Sequence, residues 1–74
     1  HGQSAEVMFT LARAYMTRTR YTLAYACLSK LIELDPRSAK AYHWRGWVAE
    51  RLNQAELAAT DYRKAAELDP SILV

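Results

Sequence analysis

The chain has 74 residues, of which 51% are hydrophobic and 24% charged, with only two glycines and two prolines. This balance argues against a disordered chain or a turn-rich all-β fold, and the length allows one small domain made mainly of helices. A net charge of +2 is too small to indicate nucleic acid or an anionic membrane as a partner, and a single cysteine excludes an intrachain disulfide or a multi-cysteine zinc site.

No run of apolar residues in the sequence is long enough to span a bilayer, and no signal-peptide pattern occurs near its start. The lone Cys27 favours a reducing compartment, because small secreted domains often carry disulfides. We therefore expect a cytoplasmic protein without membrane insertion. Residues 1–4 are interpreted as a cloning remnant or a disordered start.

The first two predicted helices form one pair. Apolar residues recur every three or four positions over about 5–17 and again over about 20–34, which favours helices over strands. Ser4 is a candidate N-cap for the first helix and Thr19 for the second. The second helix is predicted to end at Asp35-Pro36, because proline disfavours a helical conformation in the residue before it.

A second pair of helices follows. The third helix is predicted over about 39–52, with Ser38 as its N-cap. The fourth begins after Asn53, which stands close to a capping-box arrangement with the residues that follow it, and it ends at Asp69-Pro70. Residues 71–74 are predicted to be the first residues of another helix.

Each predicted helix has an apolar face that we expect to contribute to the core. These faces carry Val7, Met8, Leu11, Ala14 and Tyr15; Leu23, Ala24, Cys27, Leu28, Leu31 and Ile32; Ala41, Tyr42, Val48, Ala49 and Leu52; and Leu57, Ala58, Tyr62, Ala65 and Ala66. Arg45 also falls on the buried face of the third helix. We expect its aliphatic stem to pack there while its guanidinium reaches water or a carboxylate.

The two helix pairs repeat each other. The segments KLIELDPRSA at 30–39 and KAAELDPSIL at 64–73 stand 34 residues apart. A fixed period of this length is typical of stacked supersecondary units.

The residues at repeated positions resemble the tetratricopeptide repeat (TPR) pattern, in which large, small and aromatic residues and a proline recur at set places within 34. The first unit supplies Met8, Leu11, Ala12, Tyr15, Ala24, Leu28, Leu31 and Pro36, and the second Tyr42, Arg45, Gly46, Ala49, Ala58, Tyr62, Ala65 and Pro70. The resemblance covers residues 5–72. It implies an all-α fold of two antiparallel helix-turn-helix repeats, at 5–38 and 39–72, forming a segment of a right-handed α-solenoid.

The resemblance also implies a binding face, because the first helices of TPR repeats line a concave groove. The corresponding positions here are Glu6, Phe9, Thr10, Arg13, Met16, Thr17, Lys40, His43, Trp44, Trp47, Glu50 and Arg51. Rigid aromatics and arginine dominate the energy of many protein interfaces. We therefore expect a protein or peptide partner with apolar and acidic side chains, and the candidate partner-binding residues are Phe9, Arg13, Lys40, His43, Trp44, Trp47 and Arg51.

The two tryptophans admit several interpretations. At 100° per residue, Trp47 lies nearly opposite the middle of the apolar face of its helix, and Trp44 lies on the flank of that face. Trp44 can be a packing residue at the groove edge. Trp47 can contact a partner, be covered by another repeat or by a second copy of the chain, or be exposed. We expect Trp47→Ala to weaken partner binding and barely change stability.

The sequence gives little support to catalysis. It has no glycine-rich phosphate loop, and the helical neighbours of His43 are neither metal ligands nor carboxylates. Cys27 lies on an apolar face, where a structural thiol is expected. We predict no enzymatic activity, no cofactor and no metal. The acidic residues near Asp35 and Asp69 are interpreted as residues of the turns at the helix ends, not as a catalytic acid and base.

Two other roles stay open. Self-association to a homo-oligomer could use the groove aromatics or the apolar residues 72–74. Two repeats are fewer than stacks of this kind usually need, so the alternatives are a self-associating structural unit and a fragment of a longer TPR array. RNA binding by base stacking is disfavoured by the small net charge and by Glu6 and Glu50 on the same face. The lysine and asparagine residues with which some TPR domains grip a C-terminal carboxylate are replaced here by Phe9, Arg13 and Trp44.

Overall fold

A computed structural model describes the backbone of residues 2–73 and the side chains of residues 4–72. Over this part of the chain the elements are α1 (Gly2–Thr17), α2 (Tyr21–Leu34), α3 (Ala39–Arg51), α4 (Ala55–Leu68) and a short 3₁₀ helix (Pro70–Leu73). No strand occurs among the described residues, and the predicted all-α class is confirmed.

The helices pack in the order in which they follow along the chain. α1 packs against α2 and α3 against α4, and α2 packs against α3 and so joins the two hairpins. The short turns between them force neighbouring helices to run antiparallel. A helix-turn-helix unit therefore repeats once, with α3 and α4 standing where α1 and α2 stand in the first unit.

The turn after α1 is closed by hydrogen bonds of the backbone. The N–H of Arg20 donates to the carbonyl of Tyr15 at 2.8 Å, and the N–H of Thr19 donates to the carbonyl of Met16 at 3.0 Å. This is the Schellman arrangement, and it requires a left-handed residue just after the helix. Thr19 occupies that position with φ 58°, and Asn53 occupies the equivalent position after α3 with φ 63°.

The predicted caps of α2 and α4 are wrong for this reason. Thr19 and Asn53 terminate the preceding helices instead of opening the next ones. The N-cap residues are Arg20 and Gln54, and neither side chain makes a capping hydrogen bond. A residue held in the left-handed conformation by the helix before it is not available as the cap of the helix after it.

At the start of α3 the prediction is confirmed, since the hydroxyl of Ser38 accepts a hydrogen bond from the N–H of Ala41 at 3.2 Å. At the start of α1 it is wrong. The helix begins at Gly2, so that Ser4 lies inside it. Each residue added to an existing helix gains a hydrogen bond without a new nucleation cost. His1 lies outside the described residues.

The two Asp-Pro segments end α2 and α4 as predicted. In each, the aspartate carboxylate accepts a hydrogen bond from the backbone N–H two residues later, at 3.3 Å for Asp35 and 3.1 Å for Asp69. These carboxylates therefore act as turn residues. The helix predicted to start over 71–74 is a 3₁₀ helix as far as Leu73, and Val74 lies outside the described residues.

The core is built mainly from small residues, which let the helices approach closely. Its buried hydrophobic members are Ala12, Ala24, Leu28, Leu31, Ala41, Val48, Ala49, Ala58 and Ala65. The predicted apolar face of α1 is only partly in this core. Met8 and Tyr15 pack against the core, whereas Val7, Leu11 and Ala14 are exposed, because no other helix among the described residues covers that side of α1. Leu23 and Leu57, predicted on the apolar faces of α2 and α4, are exposed as well.

Gly46 marks the closest approach of α3 to α4. A β-carbon at this position would lie 3.1 Å from the ring of Tyr62 and 3.2 Å from the backbone oxygen of Ala58. Contacts of this length are shorter than ordinary packing distances. The glycine therefore makes room for the tyrosine ring between the two helices.

Arg45 is held between α2 and α4. Its Nε and Nη2 donate to the two carboxylate oxygens of Asp61, each at 2.8 Å, and its Nη1 donates to the hydroxyl of Ser29 at 3.2 Å. The Asp61 side chain is 4% exposed and that of Arg45 is 20% exposed. The hydrogen bond to Asp61 raises the pKa of Arg45 above its ordinary value. The expectation that the guanidinium reaches a carboxylate is confirmed.

Candidate functional site

A groove of about 430 Å³ opens between α1 and α3. Its lining consists of Phe9, Arg13, Met16, Thr17, Lys40, Trp44 and Trp47. All of these stand at positions that the TPR resemblance assigns to the concave face. Five of the candidate partner-binding residues therefore come together here, and His43 and Arg51 do not line the groove.

Helical spacing explains why these side chains meet. Phe9, Arg13 and Met16 follow each other at intervals of four and three residues along α1, and Lys40, Trp44 and Trp47 do the same along α3. Such intervals place side chains on one side of a helix. The groove is thus formed by one face from each repeat.

The tryptophans form part of the packing as well as the groove wall. The rings of Trp44 and Trp47 meet edge to face with centroids 5.8 Å apart, and Trp47 meets Tyr21 of α2 in the same manner at 5.9 Å. Both indoles are half-buried and pack against the core. This contact revises the expectation that Trp47→Ala barely changes stability, because the substitution would remove packing between the repeats.

Sequence reasoning missed Tyr21 as a support of the groove. Its ring holds Trp47 from the neighbouring repeat. Which face of α2 meets α3 depends on how the two helices cross, and the sequence carries no direct signal for that crossing. One of the interpretations considered for Trp47 was that another repeat covers it. The contact with Tyr21 shows that this holds for part of its surface.

His43 lies beside the groove, on the side of α3 toward α4. Its ring packs against Trp44 at 5.4 Å and against Tyr62 of α4 at 5.5 Å. It borders a second depression, which shares Lys40 and Trp44 with the groove and also includes Leu68 and Ile72. The atom Nδ1 is buried and has no hydrogen-bond partner in the described part of the chain. Being one residue before Trp44, His43 is rotated about 100° around α3 toward α4.

Two cations stand over the aromatic rings of the groove. The Nζ atom of Lys40 lies 4.2 Å from the centroid of Phe9, and the guanidinium carbon of Arg51 lies 4.3 Å from the ring of Trp47. These are cation–π distances. Arg51 thus lies at the rim and covers one face of Trp47.

The electrostatics of the groove are positive. Arg13, Lys40 and Arg51 are exposed, and none of them forms an ion pair with a carboxylate among the described residues. Glu50, on the same helix, accepts a hydrogen bond of 2.8 Å from the hydroxyl of Tyr62. Burial, and then this hydrogen bond, raise the pKa of Tyr62 to about 12.

Outside the groove, the remaining candidate features are metal-ligating side chains, the Cys27 thiol and the length of the helices. Among the described residues no group of three His, Cys, Asp or Glu side chains is placed to hold a metal ion. Burial raises the pKa of the Cys27 thiol, which lowers its thiolate fraction at neutral pH. Within residues 2–73, every helix is too short or too polar to cross a bilayer.

The stacked hairpins agree with a comparison against known families. A family model described as tetratricopeptide repeat matches residues 9–71, which includes most of α1 and all of α2, α3 and α4. Members of this family generally mediate protein–protein interaction. This chain therefore belongs to the tetratricopeptide repeat family.

Proposed function

We propose that this chain is a non-catalytic module that binds a peptide or a protein segment in the groove between α1 and α3. The observation that carries the proposal is the presence of three exposed cations, without carboxylate partners in the described chain, around half-buried aromatic rings. The repeats at 5–38 and 39–72 each contribute one helix to the groove. An extended segment lying across both helices would contact both repeats.

An apolar anchor suits the floor of the groove. Phe9, Trp44 and Trp47 keep part of their surface open to solvent there, and Met16 adds an adaptable apolar contact. A volume of about 430 Å³ falls within the range of about 300–1,000 Å³ that is common for binding pockets. Burying one aromatic or branched aliphatic side chain would remove apolar surface from water on both partners.

Acidic side chains suit the rim. Arg13 on α1 faces the groove together with Lys40 on α3, and Arg51 stands at the end of α3. Carboxylates can form charge-assisted hydrogen bonds with all three. A cationic ligand is disfavoured, because Lys40 and Arg51 already lie over ring faces that it would use.

The tryptophans offer a direct test. They are the only two in the chain, and both line the groove, so their fluorescence reports on its occupancy. A random peptide display library would be selected on the chain, and enriched peptides would then be titrated while tryptophan emission is followed. We expect enriched peptides to combine an aromatic or aliphatic anchor with aspartate or glutamate and to change the emission on binding.

Charge reversal provides the matched control. Arg13→Glu and Lys40→Glu are expected to weaken binding of the enriched peptides at least tenfold, and high salt should weaken it as well. Lys64→Glu makes the same change on α4, away from the groove, and should leave binding unchanged. Equal loss with all three variants, or binding without any change in tryptophan emission, would contradict the proposal.

A further inference from the structure

The side of α1 that faces away from α2 is an open apolar surface. Val7 is 60% exposed and Leu11 is 38% exposed, and Ala14 is exposed as well. With Glu6 and Thr10 these residues line a shallow depression of about 600 Å³. This surface is separate from the groove between α1 and α3.

The second repeat shows what covers the same surface. Adding 34 to the three apolar positions of α1 leads to Ala41, Arg45 and Val48 of α3. Ala41 and Val48 are completely buried, and the α3 helix that carries them packs against α2. A surface that is packed against a helix in the second repeat is therefore open in the first.

The helix face that would complete this contact is also open, and it lies on α4. α2 contacts α3 through Tyr21, Tyr25 and Ser29, which meet Trp47 and Arg45. The equivalent residues of α4 are all exposed, and they are Ala55, Ala59 and Arg63. The chain thus presents two unused surfaces whose equivalents bind each other within it.

We propose that the chain associates with a second copy of itself head to tail, with the outer face of α4 packing on the outer face of α1. The apolar character of the residues agrees with this pairing. Within the chain, Tyr25 of α2 meets Arg45 of α3. Between copies, the equivalent contact brings Ala59 to Leu11, so that two exposed apolar side chains would be removed from water.

Charge agrees with the same register. The two helices run antiparallel in this contact. Tyr21, near the start of α2, meets Trp47, and Ser29, further along α2, meets Arg45, which precedes Trp47 in α3. By equivalence, Arg63 of α4 would lie near Leu11 of the second copy, toward the start of its α1. Glu6 is the acidic residue that lines that surface, and we expect Arg63 of the neighbouring copy to pair with it.

Such a contact uses two different surfaces and does not close on itself. Each added copy leaves one α1 surface and one α4 surface unoccupied, and the assembly can grow as an open stack. Arg13 is the equivalent of Trp47 and would lie at the edge of this contact, facing Ala55 of the next copy, while the aromatic rings of the groove stay accessible in every copy.

The experiment measures the mass in solution by sedimentation velocity from micromolar to millimolar concentration. We expect the weight-average mass to at least double over this range, without a plateau at the dimer. Val7→Arg blocks the α1 surface, since its equivalent Ala41 is completely buried, and Ala59→Arg blocks the α4 surface. Each variant alone should stay monomeric. Both positions are exposed and helical, and circular dichroism would verify that the variants fold.

Mixing the two variants gives the decisive result. Each retains the surface that the other lacks, so an equimolar mixture should form dimers and nothing larger. A wild-type chain that is monomeric throughout, association that survives either substitution, or a mixture that stays monomeric would overturn the proposal. Lys40→Ala, at an exposed position of the groove, should leave the association intact, and its failure to associate would instead assign self-pairing to the groove. Peptide binding by the groove is measured separately and does not depend on this result.

Discussion

The carboxylate of Asp61 accepts two hydrogen bonds of 2.8 Å from the guanidinium of Arg45 across the α3–α4 hairpin. The equivalent positions of the first repeat, 34 residues earlier, carry Cys27 and Leu11. One repeat thus places an ion pair where the other places two apolar residues. Leu11 is 38% exposed, so the first repeat buries no charge here, whereas the buried carboxylate of Asp61 depends on its partner Arg45.

This relationship predicts an asymmetric pair of substitutions. Arg45→Leu leaves a carboxylate that is 4% exposed without a partner, and we expect a loss of about 3 kcal/mol in the free energy of unfolding. Asp61→Cys leaves an arginine that still reaches water, and should cost about 1–2 kcal/mol. The double variant copies the first repeat and should lie within about 1 kcal/mol of the wild type. Urea unfolding measures all three, and additive losses would contradict the argument.

Gly46 and Tyr62 form a second compensating pair, matched by Ala12 and Leu28 in the first repeat. Gly46→Ala gains about 1 kcal/mol of helix propensity but crowds the tyrosine ring, and we expect a net loss of about 1 kcal/mol. In a Tyr62→Leu background the ring is gone, and the same substitution should cost less or become stabilising. A double-mutant cycle by urea unfolding tests this, and an unchanged cost in both backgrounds would exclude the ring as its cause.

Thr19 stores backbone strain in the turn after α1. Its φ of 58° is unfavourable for a β-branched residue by about 1 kcal/mol. We expect Thr19→Gly to raise the free energy of unfolding by about 0.5–1 kcal/mol, since glycine adopts this conformation without a steric cost. Asn53→Gly is the matched control and should gain less, because asparagine tolerates the left-handed region. Equal effects of the two substitutions would show that Thr19 carries no particular strain.

Trp47→Ala is expected to destabilise the fold. The substitution removes the contacts of the indole with Tyr21 and Trp44, and for a half-buried side chain we expect a loss of about 2 kcal/mol. Lys40→Ala, at an exposed position of the same groove, should stay within about 0.5 kcal/mol of the wild type. Thermal unfolding followed by circular dichroism compares them without using tryptophan emission. A Trp47→Ala chain as stable as the wild type would restore the interpretation of this residue as a contact for a partner alone.

Tyr62 gives stability a dependence on alkaline pH. Its pKa is raised from 10.0 to about 12 in the folded chain, so the unfolded chain loses the phenolic proton at lower pH than the folded one. The resulting stabilisation is fully present below pH 10 and is lost as the pH rises through about 12. Tyr62→Phe should therefore show a flatter decline of the free energy of unfolding above pH 10. Parallel declines in the two proteins would contradict this assignment.

The fold could be predicted from the sequence because its period and its Asp-Pro segments are local signals. The turns at Thr19 and Asn53 could not, since a short polar residue before a helix suggests an N-cap as readily as it suggests the end of the helix before it. The helix that precedes each turn decides the matter. It requires a left-handed residue to complete its last hydrogen bonds.

The groove was predicted less completely than the fold. Helical spacing placed Trp44 and Trp47 on one side of α3, because residues three or four positions apart share a face whatever surrounds them, and the TPR resemblance added Phe9. His43 was predicted at the same face, and its ring packs against Tyr62 on another helix instead of lining the groove. The partner of Arg45 was likewise hidden, because Asp61 becomes its neighbour only when α4 folds back on α3.

Ring contacts run without interruption from Tyr21 through Trp47, Trp44 and His43 to Tyr62, and so connect α2 to α4 across α3. In repeat proteins the coupling between neighbouring units determines whether they melt separately or together. Here that coupling passes through the same indoles that line the groove. Both hairpins should consequently unfold in a single cooperative transition, and a peptide that clamps these indoles should raise the melting temperature of the whole chain.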